Sequence, residues 1–154
     1  MSLGVGDRLP DFSLPTDGGG NLSAASLAGK KIVLYVYPKD DTSGCTKEAE
    51  AFRDLANAFA ASGTAVLGLS RDSVASHDRF KAKYALNFTL ISDEDGEMCQ
   101  ALGVWVQKSM YGKSYMGIER STFLINEAGV IRRVWRKMKV SGHAAEVLAA
   151  AQAL

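Results

Sequence analysis

Cysteine is almost missing from this 154-residue chain, which has only two, Cys45 and Cys99. Two thiols cannot build a disulfide scaffold, and a reducing compartment keeps them as thiols unless one of them does chemistry. Histidine is equally scarce. His77 and His143, with two distant cysteines, form no paired-ligand spacing, so no metal is expected and both histidines are expected at the surface. Long apolar runs are also lacking: the longest, Ile32 to Tyr37, falls far short of the ~20 residues of a spanning helix. Met1 to Phe12 holds no signal-peptide core, so a cytoplasmic protein with no membrane partner is expected. Neither sign of charge dominates. With 18 Lys+Arg against 17 Asp+Glu, the net charge of +1 gives no bulk field for phosphate backbones or anionic lipid, and nucleic acid is not an expected partner. The one basic cluster, Arg132, Arg133, Arg136, Lys137 and Lys139, lacks an aromatic ladder and reads as a solvated strand face. No Gly-rich loop is followed by Lys and Ser or Thr at a helix start, which excludes a phosphate loop.

What is present is a core. At 47% hydrophobic and 23% charged residues, with no internal repeat, low-complexity tract or long linker, residues 1–154 read as one domain. Asp17, Gly18, Gly19, Gly20 and Asn21 form a turn-rich segment between Phe12–Leu14 and Leu22, which predicts an N-terminal hairpin. The run Ile32 to Tyr37, closed by Pro38, suits a strand covered on both faces. Phe52, Leu55, Ala56 and Phe59 then recur at helical spacing up to a C-cap at Gly63. Strand Thr64–Ser70, helix Val74–Tyr84 and strand Phe88–Ile91 repeat the alternation, which demands crossovers and a largely parallel sheet. Ser121–Asn126 and Val130–Trp135 stand at hairpin spacing, and an alanine-rich helix starts near His143. This order predicts an α/β, thioredoxin-like mixed β-sheet flanked by helices. Val104 to Ile118 shows no strong period. It is expected to wall a pocket or to form a dimer contact, with Trp105 packed in the core.

Cys45 sits where the first buried strand hands over to its helix, and ligands of open α/β sheets gather at such strand ends. If Thr42 is the N-cap, Cys45 is the third helical residue, among backbone N–H groups and a positive dipole end that favour an anion. A thiolate is such an anion. Polar Thr42, Ser43 and Thr46 argue against an apolar pocket around it.

The segment Tyr37 to Ala49, YPKDDTSGCTKEA, resembles the active-site loop of peroxiredoxins of the bacterioferritin-comigratory, or Q-type, branch: Pro38, Thr42 and Cys45 match the family's spacing. The resemblance extends from about Gly6 to about Ser141 through DFSLPTDGGG, SDEDGEMCQALGVW and YGKSYMGIERSTFLINEAG. It implies a thioredoxin-like fold, reduction of hydrogen peroxide or organic hydroperoxides by Cys45 without a cofactor, and an active-site role for Arg120.

Elementary kinetics says what those residues must supply. Lowering a thiol pKa from ~8.5 to ~6 raises the thiolate fraction at pH 7 roughly 30-fold, but weaker basicity returns roughly 10-fold of that in nucleophilicity. The rest of any rate advantage must come from aligning the peroxide and stabilising charge on the leaving oxygen. The Thr42 hydroxyl, the Arg120 guanidinium and the Cys45 N–H are the expected donors, with Pro38 limiting water. Glu48, one turn beyond Cys45, reads either as orienting Arg120 or as a solvated first-turn acid.

The sulfenic acid left on Cys45 needs a second thiol. Many Q-type members carry a resolving cysteine five residues after the first, but here that position is Glu50, and Ser73 to Tyr84 contains none. Only Cys99 remains, in a short helical segment whose Met98, Ala101 and Leu102 face the core, so it reads as a packed residue. A one-cysteine cycle reduced by an outside thiol (glutathione, glutaredoxin or thioredoxin) is expected, in a monomer or weak dimer. The alternatives are a two-cysteine cycle through Cys99, or a peroxide-sensing switch or interaction protein.

Overall fold

The computed structural model describes residues 3–154, and the alternation of apolar runs and amphipathic stretches becomes a layered α/β fold. In chain order the elements are β1 (Ser13–Pro15), β2 (Asn21–Ser23), β3 (Lys31–Val36), α1 (Ser43–Asp54), α2 (Ala56–Ala61), β4 (Thr64–Ser70) and α3 (Val74–Tyr84). There follow β5 (Thr89–Ser92), α4 (Glu97–Ala101), β6 (Trp105–Met110), β7 (Lys113–Ile118), β8 (Ser121–Ile125), β9 (Ile131–Arg136) and α5 (His143–Ala153). The central sheet has the order β5-β4-β3-β8-β9. β3, β4 and β5 run parallel, while β8 is antiparallel to β3 and to β9. The anticipated N-terminal hairpin is β1 with β2, joined by a short 3-10 turn at Asp17–Gly19.

The middle position of β3 accounts for its unbroken apolar run. Ile32 through Val36 are each at most 2% exposed, because neighbouring strands satisfy both edges and helices or loops cover both faces. Alternation then splits the run between two cores. Val33, Tyr35 and Tyr37 pack with Phe52, Phe59, Phe80 and Val147 on one face. Ile32, Leu34 and Val36 pack with Met98, Leu102, Phe123 and Ile131 on the other.

Four local readings of the sequence differ from the structure. The helix through Phe52 and Phe59 is two helices, broken at Leu55 (φ −100, ψ 5). Val104 to Ile118 is mostly an antiparallel ribbon, β6 with β7, turning at Tyr111 (φ 52) and Gly112 (φ 77). It leaves no period-2 signal because most of its residues on both faces are exposed. His77 and His143 are buried, not at the surface. Each lies on its helix's inward face, His77 with Phe80 on α3 and His143 with Val147 and Ala151 on α5. Finally, Arg136 does not belong to a solvated basic face. It donates to Leu3 O at 2.7 Å and Leu102 O at 3.3 Å and lies over the Phe123 ring. Among the described residues no helix is long and apolar enough to cross a membrane.

Gly68 pairs with Tyr35 across β3 and β4. A Cβ there would sit 2.9 Å from Leu90 Cδ2 and 3.1 Å from the Tyr35 ring, so the stacked aromatic layer needs this glycine. Gly68→Ala is expected to cost ~1–3 kcal/mol by overpacking, read as a melting temperature lower by several degrees. An unchanged melting temperature would show that the ring moves aside freely.

Candidate active site

α1 begins as its sequence predicts. Thr42 is the N-cap with extended backbone, the first helical bond runs from Thr46 N to Thr42 O at 2.8 Å, and Cys45 is the third helical residue. The Thr42 hydroxyl does not cap. It donates to Lys39 O at 2.8 Å, so no side chain takes the amides of the first turn. Because a carbonyl can only accept, the Thr42 proton is committed to Lys39, and the oxygen keeps lone pairs that can accept. The hydroxyl expected as a donor has its proton engaged elsewhere in this structure.

Cys45 is 1% exposed and packs in the aromatic core of Tyr35, Tyr37 and Phe52. The polar residues around it in sequence do not keep it out of an apolar pocket, because β3 supplies the wall. One polar group breaks that wall: Arg120 Nη2 lies 3.3 Å from Cys45 Sγ. The sheet register brings it there, since Val36 pairs with Ser121 and the residue before β8 faces the loop after β3. Gly44 lets it approach, for a Cβ at that position would lie 3.3 Å from Nη2.

The other arm of Arg120 donates to Glu48 Oε1 at 2.6 Å. Glu48 is buried, 1% exposed, so the solvated-acid reading does not hold; its second oxygen has no hydrogen-bond partner among the described residues. Burial pushes its pKa up to about 7 against the opposing charge and hydrogen bond of Arg120. The guanidinium keeps its charge because Glu48 and Cys45 outweigh the effect of its burial. Pro38 lines a groove of about 420 Å³ with Lys39, Arg71, Trp105 and Tyr115. Trp105 is half-buried, packed on the second core with the Arg71 guanidinium 4.4 Å above its ring, so it both packs and walls this groove.

Cys99 is elsewhere. It is 0% exposed in the core on the opposite face of the sheet, and its N–H donates to Asp93 Oδ2 at 2.8 Å. Burial, then the hydrogen bond and charge of Asp93, push its thiol well above the ordinary range.

Residues 5–134 match the AhpC/TSA family. The chain belongs to it, in the peroxiredoxin Q branch. A Coxiella burnetii relative named as a peroxiredoxin is 57% identical over 96% of this chain and 98% of its own. The Bacillus subtilis Peroxiredoxin Bcp is 45% identical over 96% of this chain and 94% of its own. Among solved structures, Xanthomonas campestris Peroxiredoxin Q superposes with a TM-score of 0.89 at 48% identity, covering 92% of this chain and 90% of that one. A Xylella fastidiosa PrxQ variant gives 0.94 at 41% identity, covering 99% and 98%. This peroxiredoxin is a thiol-dependent peroxidase on the thioredoxin-type fold expected of it.

Sequence reasoning missed Gly44, whose missing side chain leaves room for Arg120, and the buried pair of Asp40 and His77, 2.7 Å apart behind the loop that carries Thr42. The helical spacing of His77 with Phe80 and Tyr84 marked the histidine as inward-facing. Nothing local marked its partner.

The Glu48 pKa of about 7 lies above the 4.5 of a free glutamate. Between those values the folded protein holds a proton the unfolded chain has released, so stability falls as pH rises across that window. Urea unfolding at pH 5 and pH 8 should show the wild type losing ~1–3 kcal/mol more than Glu48→Gln. Equal losses would mean that Glu48 stays ionised throughout.

Proposed function

We propose that this peroxiredoxin, acting as a single unit over residues 1–154, reduces hydroperoxides through Cys45 alone and is recycled by an outside thiol. The observation that carries the reading is the 3.3 Å contact of Arg120 Nη2 with Cys45 Sγ, backed by the buried Glu48. In the first step the Cys45 thiolate attacks the distal oxygen of R–O–O–H. The O–O bond breaks, its electron pair leaves on RO⁻, which is protonated to ROH, and Cys45 becomes a sulfenic acid. Arg120 and the free first-turn N–H of Cys45 face the charge as it builds up on the leaving oxygen. Thr42 orients the substrate by accepting from its O–H, and Pro38 keeps bulk water back. In the second step an outside thiol attacks the Cys45 sulfur and releases water. A further thiol then reduces the mixed disulfide, so two thiols supply the two electrons.

Three features support the outside thiol over Cys99. The two sulfurs pack in cores on opposite faces of the sheet, whereas a disulfide needs Cα atoms within about 7 Å. Cys99 has no solvent exposure. Its raised thiol pKa leaves almost no thiolate to attack with. Glutathione, glutaredoxin and thioredoxin are the reductant classes proposed. A thiol of that size reaches a sulfur that is 1% exposed only when the first turn of α1 moves.

Intact mass after one equivalent of hydrogen peroxide tests the cycle. Gain of one oxygen at Cys45, and many turnovers with added thiol, are the expected results. Loss of two hydrogens with a Cys45–Cys99 crosslink would establish the two-cysteine cycle, and a single turnover would establish a switch. Arg120→Met should slow Cys45 oxidation by roughly 100-fold or more, and Thr42→Val by a smaller factor. If either rate falls no further than the measured thiolate fraction, charge stabilisation at the leaving oxygen is not that residue's task.

A further inference from the structure

The loop between β3 and α1 is stitched to helix α3 by two consecutive aspartates. The outer stitch is exposed: Asp41, at φ 58, accepts from Lys83 Nζ at 2.8 Å and Tyr84 Oη at 2.6 Å. Exposed charge pairs of this kind hold a loop weakly.

The inner stitch is buried. Asp40 Oδ1 accepts from Tyr37 Oη at 2.6 Å, and Oδ2 accepts from Ser76 Oγ at 2.8 Å and lies 2.7 Å from His77 Nδ1. The Asp40 N–H donates to Asp72 Oδ2 at 2.9 Å. His77 is 0% exposed, and its Nε2 lies 2.9 Å from Ile91 O on β5. A carbonyl only accepts, so Nε2 carries a proton. An ionised carboxylate only accepts, so Nδ1 carries the other. The ring is then an imidazolium clasped between the loop and β5. Asp40, Asp72 and His77 bring their ligand-type atoms within 4.8 Å of one another, but a ring that donates from both nitrogens has no lone pair for an ion.

The charged and titratable groups facing the ring are Asp40 from the loop, Asp72 from the turn after β4 and Tyr37 from the end of β3. Burial works against the charged ring. The hydrogen bond and charge of Asp40, the Ile91 carbonyl and the charge of Asp72 outweigh it, and the His77 pKa is raised. The clasp therefore has both hydrogen bonds below the ordinary histidine range and keeps one of them as pH rises through the folded-state value.

We propose that His77 is a positioning residue for the peroxide step, fixing through Asp40 the loop that sets Thr42 and Cys45 against Arg120. It touches neither substrate nor sulfur. It acts on the reaction because Asp40 stands two residues before Thr42 and five before Cys45, and Tyr37, Ser76 and Asp72 make Asp40 a hub joining β3, α3 and the β4–α3 turn. This rests on Cys45 being the attacking sulfur. Failure of that reading appears as a wild type that takes up no oxygen at Cys45; failure of this one appears as variants that match a reactive wild type.

The test compares full-length His77→Leu and His77→Asn with wild type, measuring Cys45 oxidation by hydrogen peroxide and Cys45 alkylation by iodoacetamide over the same pH range. Leucine removes both donors, whereas asparagine places an amide N–H near the Nδ1 position. His77→Leu should slow the peroxide reaction roughly ten- to a hundredfold, the scale of a small misplacement, while alkylation, which needs no such alignment, stays equal or quickens. His77→Asn should return the peroxide rate to within a few-fold of wild type. The proposal is overturned if the folded leucine variant keeps the wild-type peroxide rate, if peroxide and alkylation rates fall together, or if asparagine does no better than leucine. Should leucine prevent folding, His77→Gln takes its place: its amide reaches toward the Nε2 position and Ile91 O rather than Asp40, so it should be slowed as leucine is, and a rate equal to that of asparagine overturns the proposal.

Discussion

A carboxyl group under an aromatic layer keeps its charge near neutral pH only if a cation answers it, because an unpaired buried charge costs several kcal/mol. Glu48 creates that demand on the inner face of α1, and Arg120 meets it with one arm of its fork. The geometry of guanidinium leaves the second arm directed at Cys45, so the same ion pair that makes the buried acid tolerable also fixes a donor beside the sulfur. Neither partner could be moved independently. β8 runs antiparallel beside β3, and this register delivers residue 120 to the one loop end where residues 44, 45 and 48 converge. The absence of a side chain at Gly44 completes the fit.

How much of this was legible in the chain follows from the reach of each signal. β3 announced itself because a central strand is apolar on both faces, and the first turn of α1 because capping is local and Thr42 stands three residues before Cys45. Most strands and helices of the central layer fell within a residue or two of their expected bounds for the same reason. Arg120 is 75 residues from its sulfur, and no periodicity links them; only likeness to a family brought it forward. His77 follows its helical spacing inward, against the surface position that its residue type suggests. The β6–β7 ribbon gave no alternation to read because it packs on neither core along most of its length. The Thr42 hydroxyl was identified, but its role depended on a backbone carbonyl three residues upstream, which composition does not reveal.

The sheet does more than present the site. By dividing the interior into two cores it gives each thiol a separate environment, one beside a guanidinium and the other beside a carboxylate. Two chemically identical side chains thereby sit in opposite electrostatic surroundings.

On the proposed one-cysteine cycle, that partition leaves an oxidised Cys45 with no sulfur of its own chain to turn to. Its lifetime is decided by a race between surrounding thiols and a second hydroperoxide competing for the same atom. Where peroxide is abundant and thiol scarce, the second contender drives the sulfur onward to sulfinic acid, a state that simple thiols do not reverse. On that cycle, the wall of strands between the two cysteines ties the working life of each molecule to the composition of the fluid around it.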